Sequence, residues 1–238
     1  MHHSPRETHA IKLARRTIVT LKIYGVLRSR TARNVWLAKE LDIPFEHVPV
    51  IQARRLSDPS APDAPLNTSS PAYRAINPHG LIPCIDDDGL IMHESLAINL
   101  HLAKKHGGPL APRDLIEDGL MTMWSLWAAT QCEPHTVQII FHRVDYPEDK
   151  RDPHVVDAAV SALRRPFGVL EAALHSGGGN IVGDRFTVAD LNVAEVLRYA
   201  QPAPELFADY PAVTAWLAAC QSRPAFREMM AAREAERA

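Results

Sequence analysis

Between Asn77 and Leu100 the sequence runs NPHGLIPCIDDDGLIMHESLAINL, and two dipeptides in it, Ile82-Pro83 and Glu94-Ser95, are the residues best suited to chemistry. A proline within a strand removes a ladder hydrogen bond, so Pro83 belongs at an edge or where the neighbour is not another strand. An X-Pro bond gives up only about 0.5 to 1 kcal/mol in the cis form. A cis Ile82-Pro83 bond would leave the backbone N–H and C=O of Ile82 free to pair with an extended, peptide-like ligand. Ser95 opens a helix, where unpaired backbone N–H groups and its own hydroxyl suit a carboxylate. The Glu94 carboxylate suits an ammonium group, and together the pair can grip an amino-acid zwitterion. Taken alone, Ser95 reads as an ordinary helix cap.

The elements that must position these groups follow from pattern. TIVTLKIYG, residues 17 to 25, is rich in β-branched residues and predicts a strand. Residues 32 to 41 predict a helix, and IPFEHVPV a second strand, so the succession is that of a βαβ unit with parallel strands. Residues 51 to 76 are proline-interrupted and predict a loop with at most short helical turns. Residues 82 to 86 and 90 to 92 flank an Asp-Gly turn signal and predict an antiparallel hairpin, followed by a helix from Ser95 to about His106. HGGPLAPR, residues 106 to 113, reads as a linker. Beyond it only helices are expected: within 114 to 142, broken at Pro134, then 154 to 175, 188 to 200, 211 to 221 and 224 to 236. FTVADL, Phe186 to Leu191, is a capping box with a hydrophobic staple, a folding device without functional meaning.

Composition narrows the classes. With 26 basic against 28 acidic residues in 238, the chain lacks the electrostatic footprint of a nucleic-acid binder, and a small ligand is the better expectation. Cys84, Cys132 and Cys220 are too few and scattered for a disulfide framework, and no C-x-x-C pair points to zinc or dithiol chemistry. That fits a reducing cytosol. No apolar run approaches the roughly 20 residues that cross a bilayer. The start MHHSPRETHAIKLARR lacks the apolar core of a secretion signal and reads as a loosely ordered leader or a vestigial targeting segment. Twelve histidines form no H-E-x-x-H or tight His/Cys cluster, so no metal is expected.

The N-P-x-G-x-I-P then E-S arrangement, with KIYGVLRSRTARNVWLAKELDIPFEHVPV before it and VGDRFTVADLNVAEVLRYA after it, resembles the cytosolic glutathione transferases over residues 18 to 230, in a bacterial-type, serine-type form. The resemblance implies a thioredoxin-like domain over residues 17 to 106, a linker at 107 to 113, an all-helical bundle domain over 114 to 238, and a cytoplasmic homodimer. It implies glutathione as co-substrate, with no separate cofactor, and a small electrophilic partner. By position, Ile82 beside Pro83 would pair with the cysteinyl backbone of glutathione, and Glu94 and Ser95 would hold its γ-glutamyl end.

Such a reaction needs a thiolate. Lowering a thiol pKa by two units from about 8.5 takes about 2.7 kcal/mol of selective stabilisation, which hydrogen bonds and a helix N-terminus can supply. In GVLRSRTAR, Ser29 matches the thiolate-stabilising hydroxyl of serine-type members, with Tyr24 and Thr31 as alternatives. The ordinary readings are a core aromatic for Tyr24 and a cap on the helix starting at Ala32 for Thr31. No histidine or carboxylate in that loop would make Ser29 a nucleophile. Arg28, Arg30 and Arg33 read either as electrostatic support or as solvated charges. Leu81 departs from the Gln, Lys or Arg that many members place before the Ile-Pro or Val-Pro pair to hold the glycine carboxylate; Arg54 or Arg55 could take that part, or be surface residues. The electrophile is expected against the first helix of the second half, where Met123, Trp124 and Trp127 form a stripe that reads as core rather than pocket. The alternatives to a transferase are a glutathione-dependent isomerase or dehalogenase, although the Ser-Ser-Cys run of the isomerases is missing, and a non-catalytic interaction protein.

Overall fold

The computed structural model describes residues 20 to 236. The expected leader and the start of the expected first strand, residues 17 to 19, lie outside the described residues. β1 (Leu21–Tyr24) leads through a tight loop into α1 (Thr31–Glu40) and back to β2 (Phe45–Val48), which lies parallel to β1 with Leu21 opposite Phe45 and Tyr24 opposite Val48. The proline-rich stretch holds only one 3₁₀ turn (Ala53–Arg55) and the short α2 (Pro71–Ile76). β3 (Cys84–Asp87) and β4 (Leu90–His93) form the antiparallel hairpin. Asp88 and Gly89 have φ of 57° and 89°, the left-handed pair a two-residue turn needs to follow strand twist. α3 (Ser95–His106) completes a thioredoxin-like layer whose sheet order is β2-β1-β3-β4. β3 is thus an inner strand, and Pro83 escapes the ladder penalty by standing just before it.

The helical half follows. α4 (Leu115–Trp127) runs through a π-helical turn at Ala128–Cys132 into α5 (Glu133–Ile140), so the chain bends through Pro134 instead of breaking there. Proline lacks an N–H and displaces the carbonyl four residues earlier; the wider turn ahead of it absorbs both. Then come α6 (Pro153–Ser176), α7 (Val188–Leu197), α8 (Pro204–Phe207), α9 (Pro211–Gln221) and α10 (Pro224–Ala235). The single turn α8 is unforeseen by the sequence pattern. At the start of α7, Thr187 and Asp190 form the expected capping box. One apolar cluster runs from Leu21, Trp36 and Ile85 through Leu163 and Leu191 to Met229, so the sheet layer and the helices share a core. No helix among the described residues is long and apolar enough to cross a membrane.

Candidate active site

A cleft of about 530 Å³ opens between the loop before β3, the starts of α1 and α3, and the inner face of α4. That volume is in the range of small-molecule sites. Ile82, Pro83, Glu94 and Ser95 all line it. The Ile82-Pro83 bond is cis. The preceding carbonyl, Leu81 C=O, accepts from the Tyr73 hydroxyl at 2.5 Å and from Asn77 Nδ2 at 2.8 Å, which anchors the loop from behind. No hydrogen bond holds the Ile82 N–H or C=O among the described residues. Glu94 has φ 71° and ψ 100°, a conformation that a residue with a side chain adopts at a cost of about 1 to 3 kcal/mol and that concentrates at functional sites. Its consequence is local: the chain turns sharply out of β4, leaving Glu94 exposed on the cleft wall and Ser95 buried at the first turn of α3.

Beneath Ser95 lies Arg33, an α1 residue with no exposed surface. Its Nη1 donates to Ser95 Oγ at 3.1 Å and its Nη2 to Glu133 Oε1 at 2.7 Å. Arg30 Nε donates to the same Glu133 oxygen at 2.6 Å. Burial pushes the Glu133 carboxyl up, but the two guanidiniums outweigh it and hold the group below the usual carboxylate range. Asn34, Asn99, Asn192 and Ser125 continue the buried polar chain from the Ser95 carbonyl into the helical half. Sequence reasoning did not single out Glu133; for Arg30 and Arg33 it named electrostatic support, and the signal that could have paired them is their spacing, since residues three apart at a helix start share a face. His79 and His93, whose rings lie 4.6 Å apart, also line the cleft.

Residues 23 to 110 match the family model described as glutathione S-transferase, N-terminal domain, and residues 153 to 219 the one described as glutathione S-transferase, C-terminal domain. Glutathione S-transferase 3 of Zea mays is 30% identical over 224 residues, covering 89% of this chain and 94% of the relative. The chain belongs to the glutathione S-transferase family. Among solved structures, glutathione transferase F7 of Populus trichocarpa superimposes with a TM-score of 0.74 at 28% identity, over 90% of this chain and 99% of the other. Glutathione S-transferase I with lactoylglutathione bound gives 0.77 at 26% identity, over 90% and 100%.

In this family member, the hydroxyls expected to serve the thiol stand outside the cleft lining. Ser29 Oγ donates to Val26 C=O at 2.6 Å and accepts from Thr31 N at 3.1 Å, so reaching a ligand requires it to leave Val26. Thr31 is the first helical residue, not the cap; Arg30 holds the cap position and Ser29, one residue earlier, satisfies the Thr31 N–H. Thr31 also explains Gly25, where φ is 137° and a Cβ would fall 2.1 Å from Thr31 Oγ1. Tyr24 is 7% exposed and packs against Tyr73, and burial raises its pKa further. The end of α10 braces the loop, since the Glu236 carboxylate accepts from Leu27 N at 2.9 Å and Arg28 N at 3.0 Å. Arg54 and Arg55 are exposed and absent from the cleft lining; Arg55 reaches the Arg28 carbonyl at 3.3 Å. Leu81 lines the cleft and is 64% exposed. On α4 the cleft is lined by Thr122, Ser125 and Leu126, while Trp124 is core. The reading of Arg33 as a solvated charge is overturned by its complete burial.

Proposed function

We propose that this protein is a glutathione transferase: it binds glutathione in the cleft, holds its sulfur as the thiolate, and adds it to an electrophilic apolar substrate or uses it to reduce a peroxide. The observation that carries the reading is the convergence on one cleft wall of an unpaired Ile82 backbone, fixed by the cis proline, with Glu94 and Ser95 at the start of α3. Ile82 pairs with the middle of the tripeptide, Glu94 takes the γ-glutamyl ammonium and Ser95 its carboxylate. The sulfur then points to the β1–α1 loop, where Arg30 lines the cleft and the positive end of α1 favours an anion. Ser29 is the hydroxyl donor in this reading, on rotating away from Val26, with Tyr24 and Thr31 behind it.

The same reading assigns residues 17 to 106 to the glutathione-binding domain, 107 to 113 to a linker and 114 to 238 to the domain that takes the second substrate. Glutathione is a co-substrate and no separate cofactor takes part. It also makes the protein a cytoplasmic homodimer. Exposed Leu90 and Ile91 on β4 and Ile116, Leu120 and Met123 on α4 support an apolar contact with a second copy. Isothermal titration of glutathione into the wild type and Glu94→Ala, alongside turnover of an activated chloroarene, tests the function. Binding and turnover in the wild type, both lost in Glu94→Ala, are expected. A wild type that binds no glutathione overturns the proposal and leaves a non-catalytic interaction role as the better reading.

A further inference from the structure

We propose that Arg33 is a positioning residue that turns the Ser95 hydroxyl into a donor aimed into the cleft, and that Glu133, from the helical half, holds Arg33 in that pose. The inference rests on the reading that Ser95 takes the γ-glutamyl carboxylate. A guanidinium donates and cannot accept, so the 3.1 Å contact from Arg33 Nη1 makes Ser95 Oγ an acceptor there. The serine proton must then find an acceptor elsewhere. The Ser95 hydroxyl has no other partner among the described residues, while Ser95 lines the cleft. A ligand carboxylate at that point meets a hydroxyl already turned toward it, and pays little to orient it.

The pose of Arg33 is itself constrained. The guanidinium is fully buried, faces the Tyr199 ring at 5.6 Å and sends its second nitrogen to Glu133 Oε1. Planarity links the two contacts, since a fork fixed on Glu133 by Nη2 fixes the direction of Nη1. Arg30 on the same carboxylate gives the Arg30, Arg33 and Glu133 group one net positive charge, which suits an incoming carboxylate, while the Glu94 carboxylate on the same wall faces the ligand ammonium. The ligand site on α3 is thereby oriented by a residue of the helical half, through α1.

A purely structural ion pair between Arg33 and Glu133 would not care which ligand is bound, and that separates the two accounts. The experiment compares Kd for glutathione with Kd for 4-aminobutyryl-cysteinyl-glycine, which keeps the amine and lacks only the γ-glutamyl carboxylate. The proteins are wild type, Ser95→Ala, Arg33→Met and the double variant. Wild type should prefer glutathione, and each single variant should lose about tenfold of that preference, the size of one charge-assisted hydrogen bond. The double variant should lose no more than either single, and Kd for the analogue should move less than twofold throughout. Arg33→Lys keeps the buried charge and the partner Glu133 but cannot bond both groups from one planar fork; should Arg33→Met not fold, it carries the same comparison. Equal weakening of both ligands, or additive losses in the double variant, overturns the inference. No glutathione binding by the wild type instead removes the reading beneath it.

Discussion

Asp190 offers the sharpest test of how this fold is held. One oxygen of its carboxylate accepts from Ile181 N and Trp216 Nε1, both at 3.0 Å, and the other from Thr187 N and Thr187 Oγ1, both at 2.9 Å. Asp190 and Thr187 have no exposed surface, so water cannot replace the carboxylate without opening the core. Asp190→Ala strands three N–H donors that cannot turn away, at about 1 to 3 kcal/mol each. Burial of the charge, which pushes the Asp190 carboxyl up, is relieved in the variant and offsets part of that. The net expectation is a loss of about 3 to 5 kcal/mol, or a melting point lower by about 6 to 20 °C for a chain of this size. Asp190→Asn keeps one acceptor oxygen for Ile181 and Trp216 but sets an amide against the Thr187 N–H, so it should cost about 1 to 2 kcal/mol. Urea unfolding followed by tryptophan fluorescence reports both, because Trp216 is itself a partner. A loss below about 1 kcal/mol in the alanine variant at unchanged m-value, or an asparagine variant worse than alanine, would refute the argument.

The thiol-activating group is read by titrating the ultraviolet thiolate absorbance of bound glutathione. Its pKa should lie well below the free value in wild type and return toward it in Ser29→Ala, whereas a shift that survives moves the role to Tyr24, Thr31, Arg30 or a backbone N–H. Leu81 supplies no polar contact to the glycine carboxylate, so the wild-type Kd should be no tighter than micromolar, and Leu81→Gln should improve it several-fold by calorimetry. Arg185 clamps the segment before α4 to that helix, donating to Pro109 C=O, Ala111 C=O and both oxygens of Glu117, and so draws the Glu117 carboxyl from an ordinary 4.5 down to about 2. A folded pKa below the unfolded one stabilises above pH 4.5 and the contribution fades as pH falls toward 2. Arg185→Met should therefore cost about 1 to 3 kcal/mol at pH 7 and progressively less in acid, read from urea midpoints against pH.

What the sequence made legible is what its neighbours in the chain decide. The Asp-Gly turn, the cis Ile82-Pro83 bond, the start of α3 at Ser95 and the Thr187–Asp190 box each depend on a few adjacent residues, and each stands where the pattern puts it. Thr31 shows the limit of that logic: the helix begins one residue earlier than its pattern suggests, so Thr31 lies inside the first turn, Arg30 stands at the cap position, and the Thr31 N–H goes to Ser29 two residues back. Pro134 is similar, since whether a proline breaks a helix or bends it depends on whether the packing around it can take a wider turn.

Arg33 fails to be legible for a deeper reason. An arginine among helix-forming residues reads as surface because burying its charge alone is prohibitive, and what reverses the sign is a carboxylate 100 residues further along the chain. Local pattern carries no information about that partner. Nothing in TQCEP marks Glu133 as anything but the acidic first turn of a helix. The cleft therefore divides into two kinds of residue. Ile82 and Pro83 immediately precede one hairpin and Glu94 and Ser95 immediately follow it, so their chemistry can be read in line. Arg30, Arg33 and Glu133 are brought to the cleft only when the sheet layer and the helical half close on a shared core, and their effect on a ligand is tied to that closure.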